Sequence, residues 1–389
     1  MNLFFRCSIF IVQFFIFLNS TTVRAQDTTY ARQVIKKLTS PEFLGRGYVN
    51  DGVNKAAAYL SGEMKQIGLL KFGKRYSQTY FFSVNTFPTK MSVVLDGREL
   101  TAGKHYLIDP SSTTQKTGYQ LFKTDSVTYH ATDGRREAPV VIKLRKKLTY
   151  TVATSASTIT TIELLKDSFP NELKNIDVVF ENKFIPNFKC QNLCGYIKGT
   201  QHPDSFIVFT AHYDHLGAMG AYTYFPGAND NASGVSVLLN LMKYYKKHPT
   251  KYSVAFILFS GEEAGLLGSK YFSEHPLFPL SHIKFLTNMD LLGTGDDGIM
   301  VVNATIFKEQ FEKLNSINKE KNYVKQIKQR GKAANSDHYW FTEKGVPSFF
   351  IYTMGGIQAY HDIYDIEKTL PLTDYVDASK LLIEFVDKF

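Results

Sequence analysis

An α/β fold is the architecture this chain predicts: a mixed, mostly parallel central sheet covered by helices, with a β-rich inserted subdomain. Two observations carry it. From Cys190 onward, short apolar runs alternate with amphipathic stretches in a repeated strand–loop–helix order, the signature of a mostly parallel sheet. Between about 86 and 185 the composition turns to Thr, Val and Tyr, with turn signals at Asp96-Gly97 and Asp133-Gly134, which reads as β structure. The 389 residues accommodate one large α/β domain and a smaller unit. The expected division is a leader over 1–25, an α/β domain over 26–85 and 186–389, and the insert over 86–185.

The leader carries Arg6, an apolar stretch from Ser8 to Leu18, and Val23-Arg24-Ala25 after a polar step. Its apolar core of roughly 11 residues is too short to span a bilayer and reads as an export signal. Cleavage after Ala25 places the protein in the periplasm or outside the cell; an uncleaved anchor is the alternative. No later segment is apolar enough to span a membrane.

Next, Tyr30, Val34, Ile35 and Leu38 mark a short helix over 29–39. A loop with Gly45, Arg46 and Gly47 follows. Val53, Ala56, Ala57, Leu60, Met64 and Ile67 then recur at helical spacing until Gly68 stops them. Beyond the insert, strands are expected over 192–197, 206–211, 253–259, 283–289, 298–302 and 347–352. Helices are expected over 232–246, 264–272, 306–318 and 375–389.

Apolar residues make up 44% and charged residues 21%, values of an ordinary folded protein. The formal charge is +9, of which Arg6 and Arg24 account for two, leaving +7 after the leader. The lysines are dispersed and no aromatic–basic motif is present, so the excess reads as a solvated surface, not a nucleic-acid site. Cys190 and Cys194, on one strand, stand roughly 13 Å apart, too far for a disulfide.

Chemistry concentrates in five segments: Thr-Ala-His-Tyr-Asp-His around His212, Gly-Ala-Asn-Asp-Asn-Ala-Ser-Gly around Asp230, Phe-Ser-Gly-Glu-Glu-Ala-Gly at Glu262 and Glu263, Asn-Met-Asp at Asp290, and Tyr-His-Asp at His361. Two histidines and three carboxylates suit a pair of zinc ions. Ligands of such sheets bind beyond the carboxyl ends of strands, where His212, Glu262, Glu263 and Asp290 fall. Asp214, two residues past His212, points the same way and can fix its tautomer. The loop 227–234 pairs small residues with acids, which lets groups crowd a metal; Asn231 and Ser233 also suit a helix start. Asp230 is placed to bridge two cations. Of the adjacent glutamates, one can bind metal while the other moves protons.

These segments, in this order, resemble the M28 family of zinc peptidases, the co-catalytic aminopeptidases related to bacterial leucine aminopeptidases. The likeness is dense over 190–300 and looser over 330–370; Leu44-Gly-Arg-Gly and Lys55-Ala-Ala share it. The resemblance implies the zinc aminopeptidase fold and two zinc ions per chain. It implies that His212 and Asp290 hold one zinc, Glu263 and His361 the other, and that Asp230 bridges them. It makes Glu262 the general base, Asp214 the residue orienting His212, and Tyr360 a hydrogen-bond donor to the substrate carbonyl. Ser336-Asp337-His338 matches a family motif and is expected to support the site. The Asp230–Asn231 peptide is expected to be cis. Asn229 departs from the Asp common at that position. The implied substrates are peptides with a free N-terminus. Rival readings are a glutaminyl-cyclase-like enzyme with one zinc, a carboxypeptidase, for which no arginine cluster lies near the motifs, and a non-catalytic receptor, for which no ligand is missing. The insert holds none of these residues and is expected to shape access to the site.

Overall fold

The computed structural model describes residues 27–134, 136–169 and 172–389. The leader expected over 1–25 lies outside them. Helices Thr28–Leu38 and Gly52–Ile67 form where the apolar periodicity places them. Asp27 caps the first by accepting the Tyr30 amide at 3.0 Å, satisfying a donor the first turn leaves free. Gly68, at φ +82°, ends the second in the left-handed region, the usual conformation of a C-terminal cap.

Eight strands make the central sheet, in the order Ser77–Thr86, Lys183–Ile197, Tyr252–Phe259, His202–His212, Ile283–Met289, Ser348–Thr353, Ile299–Val302 and Ile327–Gln329. The inner strands, 252–259, 202–212, 283–289 and 348–353, run parallel. Antiparallel pairs flank them, so the sheet is mixed around a parallel centre. Successive side chains of these apolar strands pass to opposite faces. Phe209, Phe256, Phe285 and Phe349 meet helices Thr28–Leu38, Gly52–Ile67, Gly234–Lys247 and Tyr375–Val386 in one core. Val208, Ala255, Ile257 and Leu286 meet Phe272 and Phe341 of helices Leu267–Glu274 and His338–Glu343 in another.

A second eight-stranded sheet is built from strands between Ser92 and Phe180 and has its own core. The chain leaves the central sheet after Thr86 and re-enters at Lys183, and these two residues pair with each other. Leu216, Met219 and Phe225, from the loop after His212, pack into this second core.

Some elements differ from expectation. The strand Ser77–Thr86 is hard to read because polar Gln78, Thr79 and Ser83 break its alternation. The helix expected from 232 begins at Gly234, after a wide helical turn over Ala228–Ser233. The helix expected from 264 begins at Leu267; the amides of Gly265 and Leu266 turn back onto the Glu262 carbonyl, leaving both glutamates ahead of the helix. Cys190 and Cys194 share the strand Lys183–Ile197 as buried free thiols. Among the described residues no helix is long and apolar enough to cross a membrane.

Candidate metal centre

The carboxyl ends of the parallel strands converge on one cavity of about 210 Å³, lined by His212, Asp230, Glu262, Asp290, Tyr360 and His361 among others. His212 is the last residue of its strand and Asp290 follows the last residue of the next. Glu262 and Glu263 stand three and four residues past Phe259, Asp230 sits in the wide turn, and His361 in the loop after Thr353. Asp230 is central. Its Oδ1 lies 3.4 Å from His212 Nε2, and its Oδ2 lies 3.1 Å from His361 Nε2. Asp290 Oδ1 is 3.3 Å from His212 Nε2, and Glu263 Oε2 is 3.3 Å from His361 Nε2.

These separations bear on metal binding. Donor atoms at zinc-ligand distance around one tetrahedral ion stand roughly 3.3–3.4 Å from each other. Three of the four contacts match and the fourth, Asp230 Oδ2 to His361 Nε2 at 3.1 Å, is slightly shorter; Asp290 Oδ1 is buried without a hydrogen-bond partner. His212, Asp230, Asp290, Glu263 and His361 therefore fit a pair of ions sharing Asp230. Zinc is the natural occupant of an imidazole–carboxylate set.

His215 is an addition that reading the sequence missed, although it closes the quoted segment Thr-Ala-His-Tyr-Asp-His. It is fully buried, and its Nδ1 lies 2.7 Å from Glu263 Oε1 and 3.7 Å from Asp230 Oδ1. Proximity alone groups it with Asp230 and Glu263 as a third ligand set. The 2.7 Å contact is a hydrogen-bond length, too short for two donors on one ion, so His215 reads as the residue that orients Glu263. Asp214 also proves more than a partner of His212. Its carboxylate stands 3.7 Å from His212 Nδ1, while that nitrogen lies 3.2 Å from the Asp214 carbonyl. The same carboxylate accepts the Tyr48 hydroxyl at 2.7 Å and the amides of Glu262 and Glu263 at 3.3 and 3.4 Å. It thereby ties the glutamate turn to the His212 strand.

The turn bearing Asp230 is held by buried polar and charged groups. Arg46 is fully buried, and its five donors reach the carbonyls of Leu38, Tyr213, Pro226, Gly227 and Asp230 at 2.7–3.1 Å. Burial pushes its guanidinium down to about 10, with Asp230 and Asp365 opposing. Asp365 accepts the amides of Asn229 and Asp230 at 2.8 and 3.0 Å. Asn231 Oδ1 accepts the Gly234 amide at 2.9 Å, and its Nδ2 donates to the Met289 carbonyl at 3.0 Å. The Asp230–Asn231 peptide is cis. Burial opposes the Asp230 carboxylate, but His215, His212 and His361 outweigh it and hold it well below the usual range.

Glu262 lies the other way. Burial pushes its carboxyl well up; His212 opposes, while Glu263, Asp337 and Asp290 add to the rise. Tyr360 is 45% exposed, lines the cavity and stacks on the His361 ring at 4.0 Å between centroids. Burial of its inner part, with Asp230 and Glu263, pushes its hydroxyl upward, so it stays a donor. Of the Ser336-Asp337-His338 motif, Ser336 touches the site: its hydroxyl donates to Asp290 Oδ2 at 3.1 Å and accepts from Asn288 at 2.8 Å.

The sequence profile of Peptidase family M28 matches residues 192–386, half of the chain. The chain belongs to peptidase family M28. It is 31% identical over 183 residues to aminopeptidase YwaD of Bacillus subtilis, covering 43% of this chain and 36% of that one. A probable zinc metalloprotease of Pyrenophora tritici-repentis is 32% identical over 111 residues, 28% of this chain and 23% of that one. The chain thus aligns with about a third or less of these relatives' length. Among solved structures, a zinc aminopeptidase of Bacillus subtilis superposes with a TM-score of 0.69 at 19% identity, covering 93% and 95% of the two chains. An M28 peptidase precursor of Shewanella amazonensis gives 0.72 at 13% identity, covering 93% of each. These likenesses show the fold.

Proposed function

We propose that this chain is an exported, zinc-dependent aminopeptidase that binds two zinc ions and hydrolyses the first peptide bond of peptides with a free N-terminus. The observation that carries the reading is the two-sided Asp230 carboxylate, one oxygen facing His212 and the other His361, with Glu262 lining the same cavity. His212 and Asp290 would hold one ion, Glu263 and His361 the other, and Asp230 both. Bound zinc supplies Lewis acidity that lowers the pKa of water toward ~7. Glu262 takes the proton of the attacking water on its carboxylate and returns it to the leaving amine. Its burial raises its proton affinity above that of an ordinary carboxylate, the direction a group that takes up a proton needs. The Tyr360 hydroxyl donates to the carbonyl oxygen as negative charge develops there. The Asp214 carboxylate accepts the Glu262 amide and so ties down the backbone from which that side chain projects. The leader supports export, and the aminopeptidase among the chain's relatives supports the choice of the N-terminal bond.

The test is a panel of aminoacyl-nitroanilides with N-blocked controls, assayed with and without a zinc chelator. Free-amine substrates should be cleaved, blocked ones spared, and chelation should abolish turnover reversibly. Equal cleavage of blocked substrates would sink the exopeptidase reading. Cyclisation of N-terminal glutamine with one zinc per chain would replace it with the cyclase reading. Glu262→Ala is expected to keep both zinc ions and lose activity by roughly 10²–10⁴-fold.

A further inference from the structure

The loop bearing His361 is held from the side of the second sheet. Residues 147–150 lie between two of its strands, Glu137–Arg145 and Thr160–Leu165. There the Tyr150 amide donates to the His361 carbonyl at 2.9 Å, and His361 Nδ1 lies 3.1 Å from the Tyr150 carbonyl. The second bond requires the proton on Nδ1. It leaves the Nε2 lone pair facing Asp230 and Glu263, as a metal ligand needs. Lys147 Nζ reaches Asp362 Oδ2 at 3.3 Å and the Gln358 carbonyl at 3.1 Å. Asp362 in turn accepts the amides of Tyr360 and Tyr364 at 3.3 and 2.9 Å. The Tyr150 ring stacks on Phe225 at 4.5 Å and 8°, and Ile363 packs against the second core.

Local preference does not hold this loop. His361 has φ +54°, in the left-handed region that costs an L side chain energy and persists only where surroundings enforce it. Contacts from segment 147–150 reach this loop at His361, Asp362 and Gln358.

We propose that residues 147–150 are a positioning element for the metal site His361 serves, fixing the tautomer and direction of its imidazole. The insert then takes part in building the site, beyond shaping access to it. The inference rests on reading His361 as a ligand.

Zinc content and chelator competition on the full-length protein test it, in wild type, His361→Ala, Lys147→Met, Lys147→Arg and Lys147→Met/Tyr150→Ala. Wild type should hold two ions and His361→Ala one. The double variant keeps the Tyr150 backbone but loses the ring packing on Phe225 and the Lys147 contacts that fix it. It should bind one ion as wild type does and the other more weakly, by up to roughly the 10–100-fold seen when a ligand's outer partner is lost. Lys147→Met should show a smaller loss at the same single ion, and Lys147→Arg should restore most of it. Lys147 is half exposed, so its single variants keep the measurement available if the double variant fails to fold. Wild-type affinity for both ions in Lys147→Met overturns the inference and leaves the ligand assignment standing. Two ions retained by His361→Ala overturns the ligand assignment, and this inference with it.

Discussion

Single side chains decide whether this site exists, and Arg46 shows how. A buried guanidinium with no carboxylate in direct contact would be costly, because desolvation of the ion is offset only by what it bonds. Here all five donors meet carbonyls, and three of those carbonyls belong to the chain between Pro226 and Asp230. Arg46→Lys keeps the charge but loses the planar fork, leaving several buried carbonyls without partners. The expected cost is on the order of 3–5 kcal/mol, read as a shift in urea midpoint, with weaker zinc binding in whatever remains folded. A second residue carries a pH dependence. Burial pushes the His338 imidazole down to about 3, the Ser336 backbone offsetting only part. An unfolded histidine titrates near ~6.5. Below that pH the unfolded chain takes a proton that the folded chain refuses. The stabilisation is therefore whole above 6.5 and lost as pH falls toward 3, by up to ~1.4 kcal/mol per pH unit. Replacing His338 by Phe, beside its neighbour Phe350, should flatten that slope in urea titrations of the metal-free protein at pH 6.5, 5.5 and 4.5. An unchanged slope would mean His338 is not buried neutral.

At the scale of elements, the turn over Ala228–Ser233 is where sequence and structure part. Its composition reads as a helix start, and a helix does start at Gly234. The turn is instead a widened coil whose Asp230 and Asn231 leave helical geometry, so that the carboxylate faces the strands. Gly227, at φ +62°, opens it; a Cβ there would lie 2.1 Å from the Asp230 carbonyl and 2.4 Å from the His215 ring. Gly227→Ala is thus expected to destabilise the fold by several kcal/mol, well beyond the ~1 kcal/mol of a glycine's backbone freedom alone, with calorimetry as the check. The apolar strands were legible because burial on both faces leaves near-continuous Val, Ile, Leu and Phe runs. Their carboxyl ends were legible as places for His212 and Asp290 for the same reason. What sequence could not convey was partnership across distance. Arg46 is legible as a loop residue within Leu44-Gly-Arg-Gly, a segment that shares the family likeness, but not as the clamp of a turn 180 residues on, and Asp365, four residues past His361, carries no local signal. His215 stood inside a recognised segment, yet nothing local says that its ring turns toward Glu263, 48 residues on.

For the molecule as a whole, the site joins parts that are remote in the chain, so metal and fold should be thermodynamically linked. Asp230, Asp290, Glu262 and Glu263 crowd together beyond the strand ends, and in the absence of cations the histidines and Arg46 offset part of their repulsion. An ion that binds the native state and not the unfolded chain stabilises it by RT ln(1 + [L]/Kd), about 2.7 kcal/mol at a hundredfold excess over Kd. If the chain holds two ions sharing Asp230, as proposed, zinc added back to chelated protein should raise the melting temperature in two steps. The two steps have different structural foundations. An ion held by His212 and Asp290 would rest on adjacent strands of the central sheet, which the cores on both faces already fix. An ion held by Glu263 and His361 would rest on a turn and on a loop tied to the second sheet, so its binding would also have to order those segments. The first step should accordingly occur at lower zinc concentration and survive His361→Ala, whereas the second should vanish in that variant. Glu262→Ala, which removes no ligand, should keep both steps while turnover falls. A single step in wild type, or loss of both in His361→Ala, would show that the two halves of the centre fill as one unit.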